Sequence, residues 1–123
     1  MKIDREKGKS DRIDISFRYT LQSEKFAKEL CLRLNNTPFS YQFFTPTKRR
    51  LVYVVIINIE EYFDDISIAK INKELNITEN DYGFWFGLDS NYLYGGLTVP
   101  YNVVKYIKAL GGKIDFSFFI CRD

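Results

Sequence analysis

From Arg12 to Tyr19 polar and apolar residues alternate without a break. That is the period of a strand buried on one face, with Ile13, Ile15, Phe17 and Tyr19 turned to the core. Ser23 then precedes Glu24 to Asn35, where Phe26, Ala27, Leu30, Cys31 and Leu34 recur at helical spacing. A serine cap and an acidic first turn predict an amphipathic helix there, with Cys31 on its buried stripe. Thr37-Pro38 ends it, because proline disfavours helix in the residue before it and has no N–H to donate. Ser40 to Phe44 adds an edge strand. Leu51 to Ile59 is rich in β-branched residues, which predicts a central strand covered on both faces. Asp64 and Asp65 open a second helix over Ile66 to Leu75, with Ile68, Ile71 and Leu75 on one side and Asn76 as its stop. Tyr82 to Leu88 reads as a strand with one apolar face and one face thinned by glycines. Thr98 caps a last helix with Pro100 in its first turn and Val99, Val103, Ile107 and Leu110 as its stripe, ended by Gly111-Gly112. Lys113 to Cys121 closes the chain as a strand, with Ile114, Phe116, Phe118 and Ile120 on alternate positions.

Setting aside the helix at Ile66 to Leu75 as an insertion leaves strand, helix, strand, strand, helix, strand. This order predicts an α+β fold, a ferredoxin-like βαββαβ sandwich with an antiparallel sheet and helices on one face. The other sheet face is left for a partner, an extra helix or a second subunit, so a homodimer is compatible with it. Residues 1–11 read as a flexible charged leader and 12–123 as a single α+β domain, since 123 residues suit one core.

Composition narrows the chemistry. Nine Tyr and eleven Phe give a globular, aromatic-rich chain. There is no histidine, which removes the most common general base, metal ligand and pH switch together. Eighteen Lys and Arg against sixteen Asp and Glu leave a net charge of +2, too small for a sequence-independent grip on a polyanion. Cys31 and Cys121 form no metal-binding or redox spacing and read as free thiols in a reducing cytoplasm. The charged start of the chain is neither a secretory signal nor an anchor, and no run approaches the roughly 20 apolar residues that span a bilayer. Neither a cofactor nor a metal site is expected, and nothing singles out a nucleophile with its base, so an enzyme is not expected.

Three groups of residues remain as contact candidates. Glu60, Glu61, Tyr62, Asp64 and Asp65 join carboxylates to an aromatic, a composition closer to a partner surface than to a metal cage. Tyr92 and Tyr94 lie in a glycine-containing turn, and Tyr offers contact area and a hydrogen bond at low entropic cost. Phe84, Trp85 and Phe86, with the basic run Lys48-Arg49-Arg50, could instead stack and hold single-stranded RNA, as third-strand aromatics do in RNA-recognition domains. Trp85 stands where that motif wants a small residue. The plainer account is that Phe84 and Phe86 are core and Trp85 fills the opposite face, with Lys48-Arg49-Arg50 a solvated loop protecting a sheet edge.

The stretch from Tyr94-Gly95-Gly96-Leu97-Thr98-Val99-Pro100 through Val103 to Gly112 and on to Phe119 resembles a family of small bacterial domains of unknown function, over about a third of the chain. In size, lack of histidine and aromatic richness the chain is similar in style to bacterial toxin-immunity proteins. That likeness implies a cytoplasmic protein that binds and neutralises a cognate toxin by occluding its active site or substrate surface. Glu60, Glu61, Asp64 and Asp65 would face a basic toxin, anchored by Tyr62, Tyr92 and Tyr94. The alternative is a single-stranded RNA-binding ferredoxin-like module, although the low net charge makes nucleic acid the weaker candidate.

Overall fold

Alternation in the first strand divides the molecule into two sides. In the computed structural model, which describes residues 12–90 and 99–120, β1 (Arg12–Leu21) buries Ile15, Phe17, Tyr19 and Leu21 on one side. Asp14, Arg18 and Thr20 alternate with them on the other. The chain continues through α1 (Glu24–Leu34), β2 (Tyr41–Phe44), β3 (Tyr53–Asn58), α2 (Asp65–Leu75), β4 (Tyr82–Ser90), α3 (Tyr101–Leu110) and β5 (Lys113–Ile120). Among the described residues the strands form one five-stranded mixed sheet in the order β2-β3-β1-β4-β5. β1 runs antiparallel to both its neighbours, β3 and β4, and β5 runs parallel to β4.

The expected α+β class is present, but the ferredoxin-like strand order and the wholly antiparallel sheet are not. A ferredoxin-like sheet would join β3 to β4 by a hairpin. Here α2 is a crossover rather than an insertion. At 11 residues it is about 16 Å long, and it carries the chain across β1, so β3 and β4 run in the same direction on either side of that strand. β5 then lies outside β4 instead of beside β1, reached through α3 in a parallel βαβ unit. β3 is also not covered on both faces. Val55, Ile57 and Ile59 are buried beneath the helices, whereas on the opposite face, which no described helix covers, Val54 is buried and Ile56 half-buried.

Side chains cap the first two helices at their N-termini, and backbone bonds close the rest. The Ser23 hydroxyl accepts from the Phe26 N–H at 3.3 Å. Asp64 accepts from the Ile66 N–H at 3.2 Å and from the Ser67 hydroxyl at 2.6 Å. Asn76 stops α2 in the left-handed region at φ 57°, as asparagine tolerates. α3 opens on Pro100, whose carbonyl accepts from the Val103 and Val104 N–H groups, and the predicted cap Thr98 lies outside the described residues, as do Cys121 and the leader. Two expected core positions of α1 differ. Phe26 is 48% exposed and Cys31 is half-buried, because Ala27, Leu30 and Leu34 make the contact with the sheet.

The core is aromatic at its centre. The Phe17 ring meets Tyr19, Phe63, Tyr82 and Phe84 at centroid distances of 5.2, 5.5, 5.3 and 5.0 Å. Two buried tyrosines then tie strands to helices: Tyr19 donates to Asn72 Oδ1 of α2 at 2.6 Å, and Tyr82 donates to the Leu110 carbonyl at the end of α3 at 2.7 Å. Burial pushes the phenols of Tyr19 and Tyr82 above their ordinary value.

A folded state that holds these protons more tightly than the unfolded chain has its full stability below the ordinary tyrosine value of about 10 and loses stability as pH rises above it. Urea unfolding from pH 7 to 11.5 is expected to show that decline, with a shallower slope in Tyr19→Phe. At neutral pH the same substitution leaves Asn72 Oδ1 buried without its donor and should cost about 1–3 kcal/mol. Adding Asn72→Leu should restore part of the loss.

Candidate binding face

The sheet side opposite the helices carries the outward residues of all five strands. Register places Arg18 of β1 between Ile56 of β3 and Gly83 of β4, and Ser16 opposite Trp85. Gly83, Trp85 and Gly87 alternate along β4 on this side, and the glycines explain how Trp85 sits. A methyl group at Gly87 would lie 2.4 Å from Cη2 of Trp85, and one at Gly83 would lie 2.3 Å from the Lys113 carbonyl oxygen. The indole therefore rests against Gly87 of its own strand, and β5 approaches β4 closely at Gly83.

Arg18 completes this centre. Its guanidinium carbon stands 4.1 Å from the centroid of the Trp85 ring, within cation–π range, and its Nε donates to the Ser16 hydroxyl at 3.0 Å. Burial lowers the Arg18 pKa while the Asp115 carboxylate partly offsets the effect; an arginine stays charged throughout.

Two depressions flank the pair. One, of about 300 Å³, is bordered by Arg18, Arg50, Lys113, Asp81, Asp115 and Trp85 among others. The other, of about 280 Å³, is bordered by Asp14, Arg18, Gln42, Asn58, Glu60 and Trp85 among others. The first has three basic and two acidic side chains, the second two acidic and one basic.

The candidate residues distribute unevenly over this geometry. Glu60 reaches the second depression and Arg50 the first, so the structure brings one member of each charged run to Trp85. Glu61 is exposed. Tyr62 is 38% exposed, with its ring 5.1 Å from Phe39. Asp64 is engaged in capping α2, and Asp65 begins that helix. Lys48 and Arg49 are exposed in a turn closed by paired hydrogen bonds between Thr47 and Arg50. Arg50 itself donates to the Thr45 carbonyl at 2.9 Å. Tyr92 and Tyr94 lie outside the described residues. Phe84 and Phe86 are 0% and 1% exposed on the helix side, so they present no ring to a base. Trp85 has one ring face taken by Arg18, which closes that face to a stacked nucleobase.

Arg18 was not among the sequence candidates. Its signal was there in the β1 alternation, which turns it away from the core, but its neighbours Trp85 and Gly83 are known only from register. A separate groove of about 340 Å³ between α1 and β2 is bordered by Lys28, Cys31, Leu32, Asn35, Tyr41 and Phe43. Burial pushes the Cys31 thiol up, the opposite of an activated nucleophile. Among the described residues no cluster of acidic or cysteine side chains is placed to hold a metal ion, and no helix is long and apolar enough to cross a membrane.

No protein-family model, curated protein or solved structure matches the chain. The face must be read from its own chemistry.

Trp85 is the chain's single tryptophan and reports this site directly. Arg18→Ala should raise acrylamide quenching of its fluorescence and shift the emission to the red, at a stability cost of about 0.5–2 kcal/mol. Unchanged quenching would show that the guanidinium does not cover the ring in solution.

Proposed function

We propose that this chain is a protein-binding module, most concretely a bacterial immunity protein that docks its open sheet face on a cognate toxin and covers the toxin's active site or substrate surface. The observation that carries the reading is the Arg18–Trp85 pair at the centre of a sheet face that no helix covers among the described residues. Tryptophan and arginine dominate the energetic centres of protein interfaces, particularly where surrounding contacts exclude water. The pair is already ordered by Gly87 and Ser16, so less side-chain freedom is lost on binding.

Size supports the same reading. Five strands of four to ten residues, spaced about 4.8 Å apart and about 25 Å long on average, give a face of roughly 500 Å², more than half of the roughly 800 Å² that a partner of standard size buries. Glu60 borders the second depression, and with the neighbouring Glu61 its carboxylate favours a basic toxin surface there, while Tyr62 beyond it remains the proposed aromatic anchor. The arrangement favours protein over RNA because acidic and basic groups are interleaved across the face, whereas a polyanion needs a continuous cationic track.

The test is co-purification with the product of the neighbouring gene and inhibition of its toxic activity. Excess protein should abolish its activity, Arg18→Ala and Trp85→Ala should each weaken inhibition at least about tenfold, and Ile66→Ala on the outside of α2 should not. Full toxin activity at excess protein would overturn the proposal. So would quenching of Trp85 by a single-stranded oligonucleotide with a steep loss of affinity in salt.

A further inference from the structure

The two edges of the sheet are built differently. β2 has four residues and lies between Pro38 and Pro46, and a short, proline-flanked strand is one of the ways an edge resists pairing. β5 has eight residues and no proline, and among the described residues no strand pairs with its outer side. Ile114 and Phe116 of β5 are 45% and 65% exposed on the helix side. Phe116 is nonetheless held in place, because its ring stacks on Phe86 at 5.2 Å with an interplanar angle of 21°. Among the described residues this edge therefore offers backbone donors and acceptors unpaired by any strand, beside an apolar ring that is already ordered, the combination that templates strand addition.

We infer that β5 is a dimerisation edge, on which a second copy of this chain pairs its own β5 antiparallel about a two-fold axis at Phe116. The occupant follows from the self-complementarity of Ile114-Asp115-Phe116-Ser117-Phe118. Reversed about Phe116, this segment repeats its apolar and polar order. Phe116 then stands opposite Phe116 of the second copy, the Ile114 position opposite that of Phe118, and Asp115 opposite Ser117. Moving the axis to Asp115 would set two carboxylates directly opposite each other, which is destabilising, so that neighbouring register is disfavoured. Lys113 and Asp115 cancel in charge on each edge, and the approach of two copies meets no net repulsion. The product is one continuous sheet with two Arg18–Trp85 centres on the same face. This inference does not depend on the immunity reading, since it rests on the β5 backbone and Phe116 whereas that reading rests on Arg18 and Trp85, although Lys113 and Asp115 border both.

Sedimentation equilibrium of the full chain from micromolar to submillimolar concentration tests it. The expected result is a monomer–dimer equilibrium in which Phe116→Lys weakens association at least about tenfold with an unchanged circular dichroism spectrum. A monomer throughout, or a dimer indifferent to Phe116→Lys, would overturn it. Should that variant fail to fold, disulfide cross-linking decides instead. In a Cys31→Ser, Cys121→Ser background, Phe116→Cys should oxidise to a covalent dimer and Lys113→Cys should not, because the axis brings only residue 116 against itself. Failure of Phe116→Cys to cross-link would rule out this register.

Discussion

Phe17 occupies the middle of the middle strand, and the packing of four other rings around it constrains everything else in the fold. Its neighbours come from β1 itself, from β4 and, through Phe63, from the segment that leads into α2. Phe63 passes the contact on to Tyr106 of α3 at 4.8 Å and to Phe39, after α1, at 5.9 Å. Ring pairs of this kind add about 0.5–1.5 kcal/mol each beyond the area they bury, so the cluster stabilises all three helix connections through one side chain. It also goes with the layering: the described helices lie on the Phe17 side, and among the described residues no helix covers the opposite face of the sheet.

That uncovered face is adapted rather than bare. Trp85 needs support when no helix packs over it, and Gly87 supplies the space for the indole to lie against the backbone. Arg18 then covers the indole with a group that keeps its charge in water while its aliphatic stem shields the sheet. Ser16, 8% exposed in this region, receives the Arg18 Nε hydrogen bond and so fixes the direction of the side chain. The pair is thus a consequence of one-sided packing, and it is the same feature that makes the face suited to a partner.

The strands and helices were legible in the sequence because each has a period and a boundary signal of its own. Ser23, Asp64, Asn76 and Gly111 stand at helix ends as capping chemistry requires. The strand order was not legible, because alternation tells which residues of β3 and β4 face the core and carries no information on which strand lies between them. The order of elements predicts that they are adjacent, and they are not, because α2 is a crossover rather than an insertion. The site was legible in part for the same reason. The alternation that buries Phe84 and Phe86 also turns Trp85 outward, but Arg18 and Glu60 join it only through the pairing of β1 with β3 and β4. Asp64 was legible in its capping role, since its carboxylate accepts from the α2 N-terminus as the sequence predicts.

Charge on the open face adds a constraint that the net charge of +2 conceals. At one end Arg18, Arg50 and Lys113 outnumber Asp81 and Asp115, while at the other Asp14 and Glu60 outnumber Arg18. Arg18 belongs to both ends and Trp85 lies between them. A partner that seats on the tryptophan must therefore present acidic character toward the Arg50 end and basic character toward Glu60, and rotating it by half a turn sets like charges against each other. Such an arrangement contributes more to orientation and to rejecting wrong partners than to raw affinity. Affinity would come from desolvating the central pair, and the polarity of the face would decide which protein, in which orientation, is able to do so.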